Sequence, residues 1–162
     1  MRKVFDRCKK FGISINLKKS LFVAKEEKLL GHIISKERVI INPKRVLAIQ
    51  TLKSLPRNKK EIQTFLRKIN FLKTFIPNYD EIVKDITYML KKNNEVKWTI
   101  PTRYAFDQIK KAISEAPTLA SPDYSSPFSI FSFAYETTLD VVILQKNTNG
   151  DDHPIAFFSK VM

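Results

Sequence analysis

The stretch NKKEIQTFLRKINFLKTFIP, residues 58–77, carries two stripes at once. Ile62, Phe65, Leu66, Ile69, Leu72 and Ile76 recur at the 3.6-residue period of one helix face. Lys60, Gln63, Arg67 and Thr74 fall on the opposite side. Asn58 opens the segment and Pro77 closes it, so the spacing predicts the longest helix of the chain between them. The apolar stripe packs; the polar stripe is left for other work. Lys60 and Arg67 offer charge to phosphates, and Lys59, Lys68 and Lys73 flank them. Gln63 and Asn70 are placed to reach sugars or base edges. An ordinary packed helix shows the same two stripes, so periodicity alone leaves both readings open.

Outward from this helix the character changes in both directions. Upstream, Asn42 and Pro43 suit a cap and first helical position for KRVLAIQTLK, which Pro56 follows as a breaker. Before that, short segments of strand character lie at 14–16, 20–24, 28–35 and 38–42, with turns expected at Lys25-Glu26-Glu27 and Lys36-Glu37. Residues 2–11 read as the end of an amphipathic helix with Val4, Phe5, Cys8 and Phe11 on one side, stopped by Gly12. Downstream, helices are expected over about 79–91 and 103–115, separated by a loop carrying Trp98, the only tryptophan. Residues 116–127 are rich in proline and serine and read as a linker. Strands follow at 128–133, 139–145 and 154–159, with Phe131 and Phe133 expected to pack into the sheet. The fold class is α+β.

Charge separates the two halves. Residues 1–73 hold 20 Lys/Arg against 5 Asp/Glu, and residues 74–162 hold 9 against 11. The whole excess of the +13 net charge therefore lies in the first lobe, which points to a polyanion partner there, most simply nucleic acid. A solvated basic surface is the plainer alternative. The single cysteine, Cys8, excludes an intrachain disulfide and suits a reducing intracellular setting, cytoplasm or nucleus. It reads as a buried thiol. No apolar run is long enough to suggest a membrane span. The three glycines, at 12, 31 and 150, are too far apart for a phosphate loop. His32 and His153 are isolated, and a hydrogen-bonded structural role is expected for His32. No tight group of acids suits a pair of magnesium ions, and Asp151-Asp152 read as solvent-facing. No metal or cofactor is expected.

Several motifs in order carry a resemblance. GISINLKKSLFVAKEEKLLGHIIS, VIINPKRVLAI, NKKEIQTFLRKINFLKTFIPNYDEIVKDITYMLKKNNEVKWT, AFDQIKKAISEAPTLASPD and PIAFFSK together resemble the reverse transcriptase of gypsy-type LTR retrotransposons and plant pararetroviruses, over essentially the whole chain. The resemblance implies three parts. Residues 1–42 correspond to the end of the palm, with a primer-grip-like hairpin at Leu30, Gly31 and His32. Residues 43–115 correspond to the helical thumb, and 116–162 to the connection and the first strands of an RNase H-like domain. Lys19 matches a family lysine near the incoming nucleotide, and magnesium is implied only for the intact family enzyme.

Departures from the family pattern bear on chemistry. No paired-aspartate polymerase motif stands in these residues. The family's D-A-S on the first RNase H-like strand is Phe133-Ala134-Tyr135 here, and a phenylalanine cannot ligate a cation. The chain stops at Met162, before the helix that supplies the family's next acid. Arg67 stands where the family has glycine, and Lys19-Ser20 replaces its Lys-Cys. The resemblance therefore implies a fragment without catalysis of its own that keeps a basic thumb for primer–template or RNA–DNA duplex. Two further readings remain: a protein-interaction or self-associating module using an exposed sheet edge, or a relic without a selected role. Completion in trans by a separate fingers–palm chain is a fourth.

Overall fold

A computed structural model describes residues 2–22, 24–52 and 54–162. Helix α1 (Arg2–Lys10) ends where Gly12 takes φ +64°, and Ile13 N–H closes the turn on Cys8 O at 2.9 Å. Cys8 is only partly buried, and Val4, Phe5 and Phe11 are exposed, so the apolar side of α1 is not covered within the described residues.

The strands expected at 14–16 and 20–24 do not form; the segment is irregular with a turn at 17–19, and Val23 lies outside the described residues. The run of strand character over 28–35 folds back on itself, as the hairpin expected at Leu30, Gly31 and His32 requires. β1 (Glu26–Leu29) and β2 (His32–Ser35) form a hairpin whose tip is Leu30 at φ +50° and Gly31 at φ +90°. Two consecutive positive φ values suit the tight turns that match strand twist. Glu26 and Glu27, expected in a turn, are therefore paired in β1. β3 (Arg38–Ile41) adds to β2, and β4 (Leu119–Ala120), inside the expected linker, adds to β3 through Arg38↔Ala120 and Val39↔Leu119.

Between β3 and β4 lie the helices. Asn42 caps α2 (Pro43–Gln50) by accepting from Lys44 N–H, as the Asn-Pro pair predicts; Lys53, at the end of the expected run, lies outside the described residues. Asn58 caps α3 (Lys59–Asn70) by accepting from Glu61 N–H, and a 3-10 turn (Lys73–Phe75) follows. α4 spans Tyr79–Tyr88, and α5 spans Ile100–Ser114. α5, at 15 residues, is the longest helix among the described residues, whereas α3 has 12 and breaks before residue 76. α5 starts earlier than expected because Thr99 caps it, which puts Pro101 within the first turn, where it lacks nothing.

The α3 stripe is the centre of the core. Ile62, Ile69 and Leu72 are fully buried with Phe65, Phe75 and Ile76, against Ile86 and Met89 of the α4 region and Phe106, Ile109 and Ile113 of α5. The Phe65 and Phe106 rings lie 4.9 Å apart, and Trp98 meets Phe106 edge-on while its Nε1–H donates to Pro56 O at 2.6 Å. Ile41 and Leu119 join this core from β3 and β4, which ties the hairpin sheet to the helices.

β5 (Ser129–Ala134), β6 (Thr138–Lys146) and β7 (Asp152–Val161) form a separate antiparallel sheet in chain order. β7 lies against α4 and the 3-10 turn, with Phe157 packed on the helical core. Gln145, buried in β6, ties the connection down: its Oε1 accepts from Asp123 N–H, and its Nε2 donates to Asp123 O and Ser126 O. Phe131 and Phe133 do not pack into a core; they are 49% and 52% exposed because β5 is an edge strand with no described element over it.

Candidate nucleic-acid interface

The burial of one α3 stripe fixes where the other points. Lys60, Gln63, Arg67, Lys68 and Asn70 are all exposed, and none of them is ion-paired among the described residues. The two ion pairs among the described residues, Lys84–Glu81 and Lys97–Glu95, lie elsewhere. Lys59 is different. Its ammonium donates to Lys91 O at 2.6 Å and Lys92 O at 3.2 Å, so it closes the chain segment after α4 instead of facing solvent freely. Lys73 is exposed but sits in the 3-10 turn beside Asp80, off the α3 row. Lys19 is exposed in a turn closed by its own N–H on Asn16 O.

The hairpin tip is pinned to the C-terminal end of α3. His32 Nε2 donates to Phe71 O at 2.9 Å, and its ring stacks on Phe75 at 5.1 Å between centroids. Gly31 is favoured by its φ of +90°, which L side chains rarely adopt. A Cβ there would fall 2.2 Å from Arg45 Nε, so the missing side chain lets Arg45 cross the tip. The Arg45 guanidinium then lies 5.8 Å from the centre of the Phe71 ring. Phe71 is 47% exposed and stands one turn beyond Arg67, so an aromatic face ends the polar row. Sequence spacing missed both Arg45 and Phe71. The signal was there in Phe71, an aromatic outside the apolar stripe.

Acids border this face. Asp80, in the first turn of α4, lines a cleft with Leu66, Arg67, Asn70 and Thr87. Burial pushes the Asp80 carboxyl up; Lys73 and the Val161 N–H pull it down, and Asp140 adds to the rise. The neighbouring Tyr79 phenol is pushed up by burial, then by Asp80. Phe133 lies directly across β5–β6 from Asp140, which is itself buried. His153 meets Asn147 Nδ2 at 3.3 Å, at the β6–β7 turn. No group of three or more His, Cys, Asp or Glu gathers among the described residues.

Residues 98–162 match the family described as an RNase H-like domain found in reverse transcriptase. That match starts at Trp98, so it includes α5 as well as the second sheet. The chain is 34% identical over 161 residues to the retrovirus-related Pol polyprotein from transposon 297 of Drosophila melanogaster, covering 98% of this chain and 14% of the polyprotein. It is 26% identical over 162 residues to the transposon Tf2-3 polyprotein of Schizosaccharomyces pombe, covering 100% of this chain and 12% of the polyprotein. Among solved structures, the foamy viral protease–reverse transcriptase in complex with dsDNA superposes with a TM-score of 0.72 at 30% identity, covering 99% of this chain and 33% of that one. The same kind of protein in complex with an RNA/DNA hybrid gives 0.71 at 29% identity, covering 98% and 22%. The fold is thus a mixed α+β arrangement of the reverse transcriptase/RNase H-like type, similar throughout to a short stretch of much longer retroelement polyproteins.

Proposed function

We propose that this chain is a duplex-gripping segment of a reverse transcriptase of gypsy-type or pararetrovirus kind, acting inside the cell. The observation that carries this is the α3 polar row: Lys60, Gln63, Arg67, Lys68 and Asn70 are exposed together, unpaired by acids, and backed by a rigid core. A helix so presented lies along a duplex, with lysines and Arg67 on phosphates and Gln63 and Asn70 toward the groove. The hairpin tip at Leu30, Gly31 and His32, fastened to Phe71, steadies the end of that row in the manner of a primer grip. Support also comes from neighbours whose structures contain dsDNA or an RNA/DNA hybrid.

The same reading assigns no catalysis to these residues alone. Phe133 offers no carboxylate, and no Y-x-D-D-like polymerase stretch stands in the sequence, the pair Asp151-Asp152 following Asn149-Gly150 instead. Duplex binding is tested by titrating the purified chain with a labelled RNA–DNA hybrid at low and moderate salt, beside a Lys60→Ala/Arg67→Ala variant. The parent binds, binding falls steeply with salt, and the variant's log–log salt slope is shallower by roughly 2, one phosphate contact for each cation removed. Equal binding and equal slope in the two proteins would refute the role given to α3.

A further inference from the structure

Asp140 in β6 has a setting that the duplex-binding reading does not use. It is 6% exposed, and both carboxylate oxygens are shielded from solvent without a hydrogen-bond donor. Buried polar groups are almost always partnered, and a buried carboxylate left alone is strongly unfavourable. Such a group calls for a counter-charge.

The register shows where that counter-charge would sit. Asp140 is directly opposite Ser159 of β7, so the two side chains share one face of the sheet. That face looks onto α4, because Ser159 Oγ accepts from Asp80 N–H at 3.2 Å. Asp80 lies close enough to feel the charge of Asp140. Thr138, fully buried, is two residues before Asp140 and so lies on the same face. Lys73 acts on Asp80, but no ammonium or guanidinium group among the described residues bonds to Asp140. The result is two carboxylates and the Ser159 hydroxyl between β6–β7 and the first turn of α4, with Thr138 next along the same face.

We propose that Asp140 and Asp80 together hold a hard divalent cation, Mg²⁺, Mn²⁺ or Ca²⁺, with Ser159 Oγ and Thr138 Oγ1 as supporting oxygens. An all-oxygen donor set favours these ions over zinc or copper. Two carboxylates with remaining positions taken by water is an ordinary arrangement for Mg²⁺. The α4 dipole opposes a cation at its first turn with about half a charge, which two carboxylates outweigh. Asp80 is only partly buried and also lines the cleft between α3 and α4, of about 280 Å³, so the site is reached from the Asp80 side. A cation there clamps the second sheet to α4, and it neutralises the acid beside Arg67 and Asn70.

The test uses the whole chain and two readouts. Terbium luminescence, sensitised by Tyr79 beside Asp80, should saturate and be displaced by Ca²⁺. Thermal melting of the parent should rise by roughly 5 °C in saturating Mn²⁺ or Ca²⁺. Both responses should be lost in Asp140→Asn and in Asp80→Asn. If Asp140→Asn does not fold, the half-buried Asp80→Asn carries the test. The proposal is overturned if no ion shifts the parent's melting or if terbium binds the variants as it binds the parent. It is also overturned if Asp140→Val is simply more stable than the parent while no cation acts on either.

Discussion

The helices of 43–114 and the sheet of 129–161 treat similar side chains in opposite ways. In the helical part, Ile62, Ile69, Leu72, Ile86 and Ile109 are shut away from solvent completely. In β5, Ile130 is 67% exposed, and Phe131 and Phe133 are each about half exposed. The residues are no less apolar in one place than in the other. What differs is cover. The helices close on one another around a shared centre, while the three strands have one face against α4 and the 3-10 turn through β7 and leave β5 bare. Hydrophobicity states what a side chain prefers, and only an opposing surface meets the preference.

The sharpest way to break this contrast is to truncate one side chain in each region. Ile109→Ala should lower unfolding free energy by about 3–4 kcal/mol, since it opens a cavity in a closed core. Phe133→Ala should change it by less than about 1 kcal/mol, because half its surface is already in water. Urea denaturation of both variants gives the answer. A loss of similar size in Phe133→Ala would mean that β5 is covered in solution, and the contrast would fail.

Cover for β5 has an obvious source in its own edge. No charged residue occurs from Tyr124 to Tyr135, and the outer side of β5 has no strand partner among the described residues. Natural edges are guarded by charge, proline or bulges, and this one has none across its six residues. The excess positive charge that would keep copies apart lies in residues 1–73, not here. Sedimentation should therefore show concentration-dependent association of the parent, reduced several-fold in Ile130→Lys by a charge set into the edge. A monomeric parent at all concentrations would remove self-pairing from consideration.

These two regions also differ in how much of them can be read ahead of the structure. Local signals worked where the cause was local. Asn42-Pro43, Asn58 and Gly12 each marked a helix end that the structure has, and the stripe from Ile62 to Ile76 marked the buried face. Signals failed where the cause was distant. β4 exists because Leu119 meets Val39, eighty residues earlier, and nothing in APTLASPD announces that pairing. Lys59 looks like its neighbours on paper, but its ammonium is taken by carbonyls that the α3–α4 packing brings near. Phe133 followed strand alternation correctly, and the missing cover was invisible to alternation. The polar row of the candidate interface was legible for the same reason as its buried opposite, whereas the Arg45–Phe71 contact depended on how the hairpin folds over the helix.

The smallest expected effect lies where the two regions are joined. Asp123 sits in the connection, and its carboxylate accepts from Ser125 Oγ at 2.6 Å, Ser125 N–H at 2.9 Å and Ser126 Oγ at 3.0 Å. The Ser125 hydroxyl first, then the Ser125 N–H and the Ser126 hydroxyl, hold this carboxyl below the ordinary aspartate value. A lowered folded-state pKa stabilises the turn above the ordinary value and loses that contribution as pH falls through the folded one. Because the side chain is fully exposed, the effect is slight and local. The same residue's N–H and C=O are both bound to Gln145, so loosening the turn reaches the end of β6. The protection factors of the Ser125 and Ser126 amides, their exchange rates normalised to the intrinsic rate at each pH, should fall on acidification below the usual carboxylate range in the parent, and should be low already and unchanged over that pH step in Asp123→Ala. A loss of protection of the same size in both proteins would trace the acid response to other carboxylates, and the junction would then owe its order to Gln145 alone.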